Sequence, residues 1–232
     1  MAKHKRRRRY SGPDITGHVD LNPGDQFQTT LNGINDSGDT TSEIQGAPLE
    51  VSGGLPGEEV VVEVQKRFPE RIVAKVIEVL EPAEERVVPE CEYFLTCSGC
   101  QWQHASYDYQ LHLKQARVQR EIDKYESLSQ VVVDPTIGSA AQLRYRNHGR
   151  FTVGKKDDGG KIGYVNAVTR HFVKIDRCLL MNEQINKVLD LAQDNVAGQT
   201  QMAIRAGSNT DSMLIQPRMD LSHIGLVTGE QH

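Results

Sequence analysis

The chain has 232 residues, 38% of them hydrophobic and 25% charged, with 20 Gly, 9 Pro and a formal charge of -4. At roughly 100 to 200 residues per domain this length allows one or two compact units, and so ordinary a composition excludes wholesale disorder. No run approaches the ~20 apolar residues that cross a bilayer, and the first ten residues lack the apolar core of a secretory signal, so a soluble, cytoplasmic protein with no membrane partner is expected.

The charge is unevenly spread. Six of the 27 bases (Lys3, Lys5 and Arg6 to Arg9) lie in the first nine residues, leaving 21 bases against 31 acids in the rest. Residues 1–22 therefore read as a basic flexible tail, able to neutralise phosphates without folding or serving only as a solubilising terminus. After a Gly/Pro-rich lead, short β-rich stretches follow at Gln26 to Leu31, Ala47 to Val51, Glu59 to Gln65 and Arg71 to Val79. Asn32-Gly33, Gly53-Gly54 and Pro56-Gly57 supply the turns between them. About five short strands with no helix to cover them close most naturally as a small β-barrel over residues 23–83. The charged connector Ala83 to Val88, bracketed by Pro82 and Pro89, marks the first boundary.

Residues 84–126 carry a cysteine loop and a helix, predicted from about Ser106 to Tyr125 with Tyr107, Leu111, Val118, Ile122 and Tyr125 on one face. Residues 127–232 read as an α+β unit with antiparallel pairing. Arg150 to Gly154 and Lys161 to Val165 flank the turn residues Asp157 to Gly160 as a hairpin, and Thr169 to Ile175 makes a third strand. A helix starts near the N-cap residue Asn182, and Gln201 to Ala206 pairs with Met213 to Gln216.

Two constellations carry chemistry. Cys91, Cys97 and Cys100 are spaced C-x5-C-x2-C, and Cys178 follows after 77 intervening residues. Cytosolic thiols stay reduced, so these residues are ligands, nucleophiles or core fillers. Four thiolates suit a 4Fe-4S cube, with one loop wrapping three corners and a distant residue closing the fourth, or a tetrahedral zinc. His104 could replace a cysteine in the zinc version, and unliganded core cysteines are the third possibility. The second constellation is the segment 143–177, which holds nine bases against three acids. Arg144, Arg146, Arg150, Lys155, Lys156, Lys161, Arg170 and Lys174 are interleaved with Tyr145, Phe151, Tyr164 and Phe172. Bases on phosphates and rings under splayed nucleobases are what single-stranded RNA recognition uses. The alternative is a solvated charged face over aromatic core. His148 and His171 read as surface histidines. No phosphate-loop, dinucleotide, zinc-protease or nucleophile-elbow motif is present, so the residues alone assign no reaction.

The segment Cys91-x5-Cys97-Ser-Gly-Cys100-Gln-Trp-Gln-His104, with Tyr107, Gln110-Leu111 and Lys114 after it, resembles the iron-sulfur signature of the RNA 5-methyluridine methyltransferases (the TrmA and RlmD type). Gly54-Leu-Pro-Gly-Glu58, Val60 to Val64 and Pro89 are similar to the end of that family's TRAM domain, a small OB-like RNA-binding barrel. Arg144-Tyr-Arg-Asn147, Gly163-Tyr164 and the approach to Cys178 are similar to its central domain. Ser98 departs from the family's usual Gly without changing the ligand spacing.

The resemblance implies a 4Fe-4S cluster on Cys91, Cys97, Cys100 and Cys178, a structural role for that cluster, and an rRNA or tRNA partner. In the family, S-adenosylmethionine and the nucleophilic cysteine belong to a doubly wound domain that follows the central one. The chain stops at His232 without a Rossmann domain, and all four cysteines match cluster ligands. It is therefore expected to be the RNA-binding, cluster-bearing N-terminal part of such an enzyme, inactive alone and completed by a catalytic domain. The alternative is a stand-alone RNA-binding or assembly module with a structural metal site and no catalysis. Exposed apolar surface near Leu214, Ile224 and Leu226 is expected where a domain is missing.

Overall fold

The computed structural model describes residues 10–155, 158–210 and 212–219, so the basic residues 1–9, Lys156, Ile224 and Leu226 lie outside the described residues. The rest of the predicted tail is described and packs in part on the first unit, with Thr16 and Val19 buried and Thr16 Oγ1 donating to Phe68 O at 2.7 Å. The chain is mainly β and divides into two compact units. The first is residues 1–88 with His104–Ser106, and the second is residues 89–103 with 107–232. No helix among the described residues is long and apolar enough to cross a membrane.

The first unit contains β1 (Gln26–Thr30), β2 (Gly33–Ile34), β3 (Thr40–Ile44), β4 (Ala47–Ser52), β5 (Glu59–Phe68) and β6 (Arg71–Glu81). They form one sheet in the order β1-β5-β6-β4-β3-β2. All pairs are antiparallel except β4 with β6. The sheet curls until β1 meets β3: Ser42 Oγ donates to Thr30 O at 2.8 Å, and the Thr29 and Ser42 hydroxyls lie 2.9 Å apart. Val60, Val62 and Val64 point into the core beside Leu49, Val51 and Ile72. Register shifts along the β5–β6 pair bend these long strands. They also explain why β6 buries Ile72, Val73 and Ala74 in succession, which broke the period-two pattern in the sequence.

Strand β3 escaped the sequence reading because its inward residues are polar. Thr40 and Ser42 are buried, and Thr40 Oγ1 donates to Val51 O at 2.8 Å.

The connector after β6 is part of this unit. Glu58 is fully buried, and its carboxylate accepts from Leu55 N–H at 2.8 Å, from Ala83 N–H at 3.1 Å and from both Nε and Nη2 of Arg86. Arg86 Nη2 also donates to Gly53 O at 2.8 Å. Burial pushes the Glu58 carboxyl upward, but the hydrogen bonds from Arg86 and the two backbone amides outweigh it and hold the group below its ordinary value. Next to this network His104 is buried, its Nε2 2.9 Å from Gly54 O. Burial lowers its pKa and keeps it neutral.

The second unit contains α1 (Tyr107–Ile122), a single 3-10 turn (Glu126–Leu128), β7 (His148–Val153), β8 (Ile162–Val165), β9 (Phe172–Lys174), α2 (Glu183–Ala192), β10 (Gln201–Ala206) and β11 (Met213–Gln216). Its strands form an antiparallel sheet in the order β11-β10-β7-β8-β9. Phe151, Val153, Ile162, Met202 and Ile204 on the sheet pack against Ile185, Val188 and Leu189 of α2. The Asn182 side chain caps α2 by accepting from Ile185 N–H at 3.0 Å. In β8, Gly163 is obligatory, since a Cβ there would lie 2.0 Å from the Val173 carbonyl oxygen.

Helix α1 differs from expectation in what covers it. It buries no residue, and Val118 and Tyr125 are exposed. The chain after it runs back along a polar stripe. Gln119 Nε2 donates to Val131 O at 2.9 Å, Val133 N–H donates to Gln119 Oε1 at 2.8 Å, and Gln115 Nε2 donates to Val133 O at 2.7 Å. The Gln119 amide thus serves that segment as a strand partner would. Val118, Leu128, Val131, Val132 and Ile137 stay exposed, whereas Leu214 is half-buried.

Removing one partner of a buried ion pair strands the other, at a cost of about 3–5 kcal/mol. E58Q should therefore lower the urea-unfolding free energy of the full chain by roughly that amount. A carboxyl held below its unfolded value stabilises fully above that value, so this contribution should be lost as the pH falls below about 4.5 in the wild type and be absent in E58Q.

Candidate functional site

The four cysteines, half-buried and reduced, line one cavity of about 100 Å³ in the second unit. A single water needs only ~10–15 Å³, so the cavity has room for more than one water. Phe94, Tyr164, Ile175, Leu179 and Leu180 supply apolar wall, and Arg146 and Arg177 also border it. Among the described residues no three His, Cys, Asp or Glu side chains converge as the ligands of a single metal ion do. His104 belongs to the first unit, where its Nε2 lies 2.9 Å from Gly54 O, and it is not among the residues that line the cavity.

Three of the cysteines come from a loop of tight turns, with Phe94 N–H donating to Cys91 O at 3.0 Å and Cys97 N–H to Tyr93 O at 2.8 Å. Leu95 (φ 64°) and Ser98 (φ 46°) both adopt left-handed backbone, which costs roughly 1–2 kcal/mol in an L-residue. That conformation accounts physically for a glycine preference at position 98. Serine brings a compensating contact, because Ala167 N–H donates to Ser98 Oγ at 2.9 Å.

The loop is clamped to the β8–β9 hairpin at two further points. Asn166 Nδ2 donates to Thr96 O at 2.9 Å. The Tyr93 hydroxyl donates to Asp176 Oδ2 and accepts from Asp176 N–H, both at 3.2 Å, and Lys174 holds the same carboxylate at 2.7 Å. Arg146 is set beside the cavity by its backbone. Arg146 N–H donates to Leu180 O and Asn182 N–H donates to Arg146 O, both at 2.9 Å.

The cavity disfavours free thiolates. Burial pushes the Cys91 and Cys100 thiols up and that of Cys97 to about 11, and neighbouring thiolates add repulsion in each case. Arg146 acts in the opposite sense on Cys100. Metal binding to such thiols must expel protons.

The predicted RNA contacts separate into distinct groups. Arg144 pairs with Glu183 at 3.1 Å and Lys174 with Asp176 at 2.7 Å, so both already hold intramolecular partners. Arg150 projects from β7 on the face of the sheet opposite the core, Lys155 and Arg170 are exposed, and Lys161 is half-buried. His148 and His171 are exposed, as expected of surface histidines. The aromatic reading is narrowed. Phe151 is core, with its ring 5.3 Å from that of Tyr164, while Tyr145 is exposed with the Arg146 guanidinium 5.8 Å from its ring centre.

Sequence reasoning missed Arg177, which borders the cavity and pairs with Glu183 at 2.6 Å. It also missed Arg205, exposed across the β7–β10 pair opposite His148. Arg177 directly precedes Cys178, the one signal that could have found it.

No protein-family model matches the chain. A protein named as an uncharacterised RNA methyltransferase in Halalkalibacterium halodurans is 31% identical over 172 residues, which is 73% of this chain and 37% of that protein. A similarly named protein of Oceanobacillus iheyensis is 32% identical over 170 residues, again 73% of this chain and 37% of its own length. The chain therefore spans less than two fifths of these relatives. In fold it is similar to the Pyrococcus abyssi tRNA (uracil-54, C5)-methyltransferase, solved in complex with S-adenosyl-L-homocysteine. The TM-score is 0.59 at 22% identity, over 85% of this chain and 48% of that one.

The chain is thus a homologue of part of the RNA methyltransferases. Within that class its fold is that of about half of a tRNA uracil-5 methyltransferase.

If the contact at Ser98 offsets the strained backbone, S98A should lose about 1 kcal/mol of stability, the worth of one hydrogen bond. S98G, which relaxes the backbone while losing the same contact, should stay closer to wild type in thermal melts. The thiols carry a second expectation. A group raised above its unfolded value stabilises below that value, so metal-free protein should lose stability as the pH rises from about 9 through about 11. Protein carrying a bound cation should not, and denaturant titrations across that range check it.

Proposed function

We propose that the chain is the RNA-binding, 4Fe-4S-bearing part of an S-adenosylmethionine-dependent RNA uracil-5 methyltransferase acting on tRNA or rRNA. The observation that carries the reading is the meeting of Cys91, Cys97, Cys100 and Cys178 around one cavity of the second unit. Four thiols are the number that a 4Fe-4S cube or a tetrahedral zinc takes, and three of them on one loop with a distant fourth is the spacing that supports the cube.

The cluster, when bound, would supply a covalent cross-link between the cysteine loop and the segment joining β9 to α2. The chain's own residues do the rest. Tyr93, Asn166 and Ser98 hold the loop against the β8–β9 hairpin, and Arg146 and Arg177 bring positive charge to the thiolate side. All four ligands belong to the second unit, so the cross-link acts inside that unit and not between the two.

RNA binding is assigned to two surfaces. One is the curled sheet of the first unit, whose antiparallel pairs, single parallel pair and β1–β3 closure follow the strand connectivity of an OB-type barrel, as in a TRAM domain. The other is the set of exposed bases of the second unit, Arg150 and Arg205 on the paired strands β7 and β10 and Lys155 and Arg170 in the turns before and after β8, with Lys156 next to Lys155 in the sequence and Tyr145 as the ring open to a splayed base. Methyl transfer is assigned to the part of the longer enzyme that the relatives contain beyond the matched region. The exposed apolar surface along α1 and residues 128–137 agrees with a chain that belongs to a larger protein.

Anaerobically purified protein should carry four irons and four sulfides per chain, and C178A should lose most of both. One zinc and no iron, or a full cluster in C178A, would overturn the cluster assignment. Binding to single-stranded RNA should weaken steeply with salt, and R150A should flatten the log–log salt slope by about 1. Salt-independent binding, or none, would remove the RNA reading.

A further inference from the structure

We propose that Asn186 is the positioning residue for Cys178, the site's one cysteine remote in sequence from the other three. The inference rests on the reading of the four cysteines as cluster ligands. Helix α2 buries Ile185, Val188, Leu189 and Ala192 against the sheet, and Asn186, 6% exposed, is the one polar side chain among its buried residues. A buried amide is costly unless its hydrogen bonds are made. Here they are made to the ligand's own backbone. Cys178 N–H donates to Asn186 Oδ1 at 2.9 Å, and Asn186 Nδ2 donates to Cys178 O at 3.2 Å and to Met181 O at 3.3 Å.

One side chain therefore grips both peptide groups of Cys178. The three loop cysteines have a different support, being framed by successive turns and by the clamps to Asp176, Asn166 and Ala167. Cys178 lies between the end of β9 and the start of α2, where no strand pairing holds it. Groups behind a metal ligand that fix its orientation typically govern affinity by 10–100-fold. Asn186 occupies that place for the fourth corner.

Gln193, at the end of the same helix, provides a matched control. It clamps two backbone segments with three hydrogen bonds, from Ile162 N–H at 2.9 Å and to Ile162 O and Ile175 O at 3.3 and 2.8 Å, instead of gripping a cysteine. The 232-residue wild type, N186L, N186D and Q193L are reconstituted anaerobically with iron and sulfide, and iron loss to a chelator is followed. N186L should lose iron about 10–100-fold faster than wild type. N186D, which keeps an acceptor for Cys178 N–H, should fall between them, and Q193L should stay near wild type even where its melting temperature drops.

In metal-free protein, the Cys178 amide should exchange hydrogen faster in both Asn186 variants, most in N186L, and not in Q193L. Equal iron loss from N186L and Q193L, or an unchanged Cys178 amide, overturns the inference while leaving the cluster reading standing. A wild type that takes up no iron overturns both.

Discussion

Four thiols share one largely apolar cavity of the second unit, where burial raises the thiols of Cys91, Cys97 and Cys100 and disfavours free thiolates. The neighbouring elements fix where those thiols sit. The cysteine loop accepts two residues in left-handed backbone to bring three sulfurs to one side of the space. The β8–β9 hairpin supplies the Asn166, Ala167 and Asp176 contacts that hold the loop in place. Residues 144–146 run beside Leu179–Asn182 and deliver Arg146 to the cavity rim. The sheet and α2 form the rigid floor from which Cys178 projects, so the site inherits its precision from a packed core and not from the loop alone.

The first unit solves a different problem with a similar economy of polar groups. A small curled sheet has little apolar surface to bury, and here polar residues take structural roles on its inner side. Thr40 and Ser42 line the inner side of β3, and Glu58 with Arg86 pins the chain that leaves β6 back onto the turn preceding β5. The charged connector that marks the first boundary in the sequence is therefore half committed to the first unit. His104–Ser106 return to the same unit after the cysteine loop, with Val87 N–H donating to His104 O at 2.9 Å and Ser106 N–H donating to Glu85 O at 2.8 Å.

Helix α1 and the segment that follows it show how a helix can hold its shape with no core of its own. Gln115 and Gln119 offer side-chain amides to an extended backbone that has no sheet partner, which satisfies that backbone but buries little apolar area. The valines and Ile137 left outward are the cost of that arrangement in a chain that covers under two fifths of its relatives' length.

The sequence by itself determined the local elements and the inventory of chemistry. The valine run of β5, the Asn182 cap, the β10–β11 pair and the cysteine spacing all depend on short-range periodicity and residue type, which one strand or one turn expresses without help. It could not decide which polar residues would be buried. Thr40, Glu58 and Asn186 look like surface residues until partners 11, 28 and 8 residues away in sequence enclose them. It also could not sort the aromatic and basic residues of 143–177 into core, ion-paired and open ones, because an alternating strand offers two faces and only the packing of α2 selects the buried one. The meeting of Cys178 with the other three thiols was likewise a tertiary decision, made by the hairpin and helix that carry it across 77 intervening residues to the same cavity.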